Sequence, residues 1–130
     1  FFFFFLTSMK NKFEPYVSFD FVSKDRKSIH TEYRCEDFFM SKEQCDVRIG
    51  DCYVKGDLNH YEIYFKNEVV ESKLVLDGSM PSWRPYSGII EHGKHYFAWL
   101  PSIPEGKVIV NVNLENEILS FGVMLEIVYL

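Results

Sequence analysis

Four clusters in this chain carry side chains able to do chemistry. Glu91, His92 and His95 combine two imidazoles with a carboxylate, a donor set that suits zinc. The two rings lie either side of a bend and meet at one point only if the turn is built for it. Solvated loop residues are therefore the preferred reading, and no metal is expected. His60 and Glu62, two apart, share one face of a strand and stand within reach for acid–base work. Alternation gives that face to solvent, so a solvated pair is preferred. Trp83-Arg84-Pro85 puts an indole on a Pro-flanked loop, where it can close a hydrophobic cavity while Arg84 meets a carboxylate or carbonyl oxygen. The competing, favoured reading has Trp83 plugging a barrel and Arg84 paired with an acidic side chain at the rim. Tyr61, Tyr64, Phe97 and Trp99 can line a pocket with two hydroxyls as handles, and two of the four are expected inside any cavity. These four with Trp83 and Arg84 form the candidate ligand-binding set. No Ser-His-Asp triad, phosphate-binding Gly loop or nucleophilic Cys setting is present, and no catalytic residue or cofactor is assigned.

Strands must position these groups. Period-two alternation runs from end to end, with no helical pattern longer than a turn or two. Val17, Phe19 and Phe21 share a face, and a three-residue loop at Lys24-Asp25-Arg26 sets Phe21 against Ile29 and Val17 against Tyr33. Gly50-Asp51 reads as a two-residue hairpin turn that opposes Ile49 to Cys52, Val47 to Val54 and Cys45 to Gly56, which excludes a Cys45–Cys52 disulfide. Tyr61, Ile63 and Phe65 alternate with His60, Glu62 and Tyr64. After a turn near Asn67, Val70, Leu74 and Leu76 continue the apolar side. Pro81, Pro85, Pro101 and Pro104 leave room for regular structure only around His95 to Leu100. Pro104-Glu105-Gly106 has the composition of a tight turn. Beyond it Val108, Val110, Val112 and Leu114 alternate with Lys107, Ile109, Asn111 and Asn113. A turn at Asn116-Glu117 sets Leu114 against Leu119, Val112 against Phe121 and Val110 against Val123.

These segments predict an all-β fold of about eight or nine strands in an antiparallel up-and-down meander. A closed lipocalin-like barrel is the first expectation and a strongly curved open sheet the second. At 130 residues, 47% hydrophobic and 18% aromatic, the chain makes one domain with a real core. A net charge of −5 without a basic block excludes nucleic acid as a partner. Cys35, Cys45 and Cys52 show no CxxC spacing and read as reduced thiols of a cytoplasmic protein. No apolar run reaches the ~18 residues of a membrane helix. The opening Phe run looks like a buried strand, and the missing initiator Met suggests a fragment or a processed chain.

The ordered series Pro15-Tyr16-Val17-Ser18, Cys45-Asp46-Val47-Arg48-Ile49-Gly50, Tyr61-Glu62-Ile63-Tyr64-Phe65, Leu74-Val75-Leu76-Asp77-Gly78, Pro81-Ser82-Trp83-Arg84-Pro85 and Phe97-Ala98-Trp99-Leu100-Pro101 resembles a lipocalin-like family. That family includes hydroxyneurosporene synthase (the carotenoid hydratase), AttH-type proteins and fungal decalin-forming Diels–Alderases. The resemblance implies a cavity for a long apolar molecule of isoprenoid or polyketide type, and hydratase, cyclase or isomerase chemistry. Two family segments, a Glu-Trp-Trp-Tyr-Phe strand and a His-Asp-His-Asn-Trp segment, are missing here. The chain is thus expected to be a first domain incomplete at both ends and inactive alone, its partner a second lipocalin-like domain or another copy bound through edge strands. The alternative expectation is a scaffold or interaction domain with a self-filled core.

Overall fold

A computed structural model describes residues 2–9, 12–22, 28–84, 86–98, 103–114 and 117–126. Every regular element among them is a strand, and every ladder is antiparallel. Strands β1 (Phe2–Met9), β2 (Lys12–Val22) and β3 (Ser28–Arg34) form a three-stranded sheet in that order. Strands β4 (Phe38–Met40), β5 (Cys45–Ile49), β6 (Cys52–Gly56), β7 (His60–Lys66) and β8 (Val70–Gly78) run as a meander. They continue into β11 (Glu105–Leu114) and β12 (Glu117–Glu126), giving one seven-stranded sheet. Between β8 and β11 the chain makes a separate hairpin of β9 (Ile89–His92) and β10 (His95–Ala98).

The seven-stranded sheet is open. Its edges are β4 and β12, and no ladder among the described residues joins them, so the closed barrel gives way to the open sheet. Closure needs two long edges to zip together, and β4 offers three residues.

Local chemistry fixes the registers. Phe21 faces Ile29 and Val17 faces Tyr33, as the alternation predicts, although the loop at 24–26 lies outside the described residues. Ile49 faces Cys52, Val47 faces Val54 and Cys45 faces Gly56 across the Gly50-Asp51 turn. Gly50 has φ +53°, and the Tyr33 ring occupies the space a Cβ there would take. Glycine is the one residue that satisfies both demands. At the next hairpin the Asn67 carboxamide oxygen accepts the backbone N–H groups of Val69 and Val70, both at 2.9 Å, and pins Lys66 opposite Glu71.

Two expectations need correction. Val112 faces Leu119, Val110 faces Phe121 and Val108 faces Val123, two residues from the predicted register, with the connection at 115–116 outside the described residues. A shift of two preserves the face of every side chain, so periodicity cannot detect it. Pro104-Glu105-Gly106 is no turn, because Glu105 and Gly106 open β11. Gly106 lies opposite Gly78, and a Cβ there would collide with the Asp77 carbonyl oxygen, so the glycine serves a close strand approach.

The core joins the two sheets. Val17 and Phe19 of β2 pack with Ile49, Cys52, Phe65, Val70, Val108, Val110 and Val112 of the larger sheet, all buried. Phe19 and Phe65 stack at 5.3 Å between ring centroids, inclined 20°. Above them Asn67 donates from Nδ2 to Thr31 Oγ1 at 2.7 Å, a polar tie from one sheet to the other.

Candidate functional site

Two faces of the seven-stranded sheet carry the residues with chemical potential, and β7 contributes to both. Cross-strand partners share a face, so Tyr61, Ile63 and Phe65 stand with Val54, Leu74 and Leu76 on the inner side. His60, Glu62 and Tyr64 stand with Lys55, Tyr53, Lys73, Val75 and Asp77 on the outer side.

The inner face changes character along its length. Beneath β2, Ile49, Cys52, Phe65, Val70 and Ser72 are buried. Toward the opposite ends of β5 to β8 the same rows continue with Val47, Val54, Tyr61, Ile63, Leu74 and Leu76, all half-buried. On β11 the row stays buried through Val108 and Val110. The loop carrying Trp83 is tied to the half-buried end. Gly78 N–H donates to the Asn59 carbonyl at 2.7 Å, and Ser82 Oγ donates to the Leu58 carbonyl at 3.2 Å. Ser79 anchors the same loop to the start of β11, its N–H bonding the Glu105 carbonyl and its hydroxyl the Glu105 carboxylate, both at 2.9 Å.

The six candidate ligand residues do not converge. Tyr61 and Leu76 face each other on the inner side. Tyr64 is on the outer side, stacked on Tyr53 at 5.5 Å and donating to Glu71 Oε1 at 2.8 Å. Burial, with the Glu71 hydrogen bond, pushes its phenol up to about 12. Trp83 is 47% exposed. Arg84 is exposed, its aliphatic stem lies against Gly88, and it makes no ion pair with any described residue. Phe97 pairs with Ile90 in the β9–β10 hairpin, and Trp99 lies outside the described residues. Tyr61 and the Trp83 loop lie at the same end of the sheet, since the loop is tied to Leu58 and Asn59 just before β7.

The outer face holds a polar cluster around His60. Its Nδ1 lies 2.6 Å from Asp77 Oδ1 and its Nε2 3.9 Å from Glu62 Oε1. Lys73 Nζ approaches Glu62 at 3.6 Å, and Tyr53 donates to Glu62 at 3.5 Å. The hydrogen bond to Asp77 raises His60 above an ordinary imidazole, against the opposing effect of desolvation, with the charges of Asp77, Glu62 and Asp57 adding to the rise. Asp57 accepts the N–H groups of His60 and Asn59 at 3.1 and 3.2 Å, and those bonds hold its carboxyl below the usual range. Gln44, Cys45, Asp46, Lys55, Asp57, His60 and Glu62 border a hollow of about 310 Å³. Burial pushes the Cys45 thiol up, which keeps it protonated and a poor nucleophile. His60 is almost half exposed, so it exchanges its proton with water and is not a shielded general acid. The solvated reading of His60 and Glu62 fits this geometry. The partner that sequence reasoning missed is Asp77, which lies six residues outward from the Lys66–Glu71 pair that closes the Asn67 hairpin.

His92 and His95 stand opposite each other on β9 and β10, flanking Gly93-Lys94, while Glu91 pairs with Tyr96 on the other face. All four of these residues are exposed. No group of three or more potential metal ligands occurs among the described residues.

No family model, no curated protein and no solved structure matches this chain.

Proposed function

We propose that this chain is a lipocalin-like ligand-holding domain that receives a long apolar molecule against the half-buried end of its inner face. The observation that supports this reading is the change along that face, from closed core at Phe65 to half-buried Tyr61, Ile63, Leu74 and Leu76 at the end where the loop bearing Trp83 is tied to Leu58. An elongated hydrocarbon laid along those rows removes apolar surface from water, at about 25 cal/mol per Å². The Tyr61 hydroxyl supplies a polar handle at the rim.

Holding is the reading, with turnover left to groups outside this face. The His60 cluster and the ligand rows sit on opposite sides of one sheet, so His60 cannot pass a proton to a molecule lying against Tyr61. Hydratase, cyclase or isomerase chemistry of the resembled family therefore needs groups other than these. Cys35, Cys45 and Cys52 are free thiols, in keeping with the reducing cytoplasm we assign. No helix among the described residues is long and apolar enough to cross a membrane.

Titration of the purified chain with a polyene or a long-chain fatty acid, followed by tryptophan fluorescence, tests the proposal. A saturable change is expected, and its absence with every long apolar ligand sinks the reading. A scaffold with a self-filled interior is the second reading, favoured by the Phe19–Phe65 stack that fills the space between the sheets at the other end.

A further inference from the structure

The loop after β8 and the β9–β10 hairpin hold apolar side chains in water. Ile89 and Ile90 are successive strand residues and so project to opposite faces of the hairpin, yet they are 49% and 46% exposed. Tyr96 is 74% exposed, and Met80 and Trp83 on the preceding loop are nearly half exposed. A two-stranded hairpin on its own is marginal in water. This one forms a ladder with no other described strand, and neither of its faces is covered.

The backbone adds to the picture. Tyr86 is fully exposed at φ +49°, a left-handed conformation that is costly for a bulky residue. Gly93 turns the hairpin at φ +63°, with no atom within 4 Å of where a Cβ would stand, so the turn projects into open space. The charge here also runs against the rest of the chain, which carries −5 in total. Over residues 79–98 a single acidic side chain, Glu91, is set against Arg84, Lys94, His92 and His95. Arg84 and Lys94 form no ion pair with any described residue. The Arg84 stem lies against Gly88, which joins the loop to the hairpin.

We propose that this loop and hairpin form a tip that docks on a lipid bilayer surface carrying anionic headgroups. Tyrosine, tryptophan and isoleucine beside arginine and lysine make up the composition that settles at a membrane interface. The apolar side chains enter the boundary of the acyl chains, and the cations meet the phosphates. A protein groove covers one face of a hairpin, whereas a bilayer interface surrounds a projecting tip. Isoleucines bared on both faces fit the second. Attraction of Arg84 and Lys94 to an anionic leaflet orients an otherwise acidic chain with this tip foremost. The proposal does not rest on the ligand reading, which concerns the inner rows of β7 and β8.

Cosedimentation of the full chain with vesicles of phosphatidylcholine, alone or mixed with phosphatidylserine, tests the proposal. Saturable binding to the mixed vesicles is expected, and weaker binding without phosphatidylserine. Lys94→Gln should lower the affinity about fivefold, the share of one cation at an anionic surface. Ile90→Ser should lower it about tenfold. Circular dichroism and melting temperature should stay unchanged in both, because these side chains are exposed in the free chain. Ile109→Ser, the same change at an exposed isoleucine on the outer face of β11, should bind as the parent does. Lipid brominated in its acyl chains should quench tryptophan emission from the docked chain. A chain that ignores both vesicles overturns the proposal. So does equal binding to the two vesicles, binding without quenching, or binding that Ile90→Ser leaves intact. Lipid-free self-association abolished by Ile90→Ser would assign the tip to a second copy of the chain and overturn it as well.

Discussion

His60 and Asp77 stand directly opposite each other on β7 and β8, with Nδ1 2.6 Å from Oδ1. His30 and Asp20 repeat the arrangement on β3 and β2, with Nδ1 2.5 Å from Oδ1. Each sheet thus carries a cross-strand His–Asp pair, and in each the hydrogen bond to aspartate raises the imidazole above 6.5.

The pairs tie stability to pH with a definite sign. A raised folded-state value means that the protonated imidazole is favoured by folding, so the contribution is complete below the unfolded value of about 6.5 and fades as pH climbs through the folded value. Asp77→Asn should return the His60 titration, followed by imidazole proton resonances, toward 6.5 and leave His30 in place. A His60 midpoint indifferent to that substitution would contradict the pairing.

Phe65→Ala removes one half of the stack that joins the sheets. Phe65 and Phe19 are 0% and 1% exposed, so the lost ring leaves a cavity walled by both layers. The expected cost is about 3–5 kcal/mol, read as a lower urea midpoint at unchanged m-value. A loss below about 1 kcal/mol would mean that the smaller sheet is not packed through this ring.

How far the sequence could be read is visible in three turns. Gly50-Asp51 declared its hairpin because a two-residue loop with leading glycine has one register, and every pair from Cys45–Gly56 inward follows. Asn67 declared a turn, yet its reach to the Val69 and Val70 amides, which fixes Lys66 opposite Glu71, is a side-chain choice that composition leaves open. Asp77 was invisible as a His60 partner for that reason. At the β11–β12 turn the same face fits registers two apart, and both leave a two-residue connection, 116–117 in the expected register and 115–116 between the paired Leu114 and Glu117, so neither alternation nor turn length separates them. Barrel closure was illegible on other grounds. The alternation that builds an apolar face is identical in open and closed sheets, and the outcome depends on the three-residue length of β4.

Gly106→Ala tests the reinterpreted Pro104-Glu105-Gly106 segment. In a loose turn alanine would be neutral. In the strand it drives a methyl into the Asp77 carbonyl opposite, and overpacking of this kind costs about 1–3 kcal/mol. A melting temperature equal to that of the parent chain would return the segment to a turn.

Cys52 offers a probe of the closed end. It is fully buried, its Sγ accepts from Lys66 N–H at 3.5 Å, and burial holds its thiol up. Cys35 and Cys45 are half-buried. In native protein Cys35 and Cys45 should react with an aromatic disulfide reagent, Cys45 slowly because burial holds its thiol up, and Cys52 only on unfolding, because the reagent must reach the sulfur as well as find a thiolate. Prompt reaction of Cys52 would show that the inner face is open there as well.

The faces of β7 decide where an apolar ligand can sit. Tyr61 and His60 are neighbours in sequence yet project to opposite sides of the sheet, and so do Tyr61 and Tyr64. A ligand on the inner rows loses ring contact in Tyr61→Ala, about 1.5–3 kcal/mol if the ring is covered in the complex, or roughly 10- to 100-fold in Kd. Tyr64→Phe removes only the hydroxyl bonded to Glu71, and His60→Ala only the outer imidazole, so both should bind as the parent chain does. The measurement is the same fluorescence titration run on the three variants side by side. Weakening confined to Tyr61 supports the inner face, because a ligand on the polar outer hollow would respond to His60 first. Equal loss in all three would point instead to an indirect effect through the strand, and the ligand-holding role assigned to the inner face would be withdrawn.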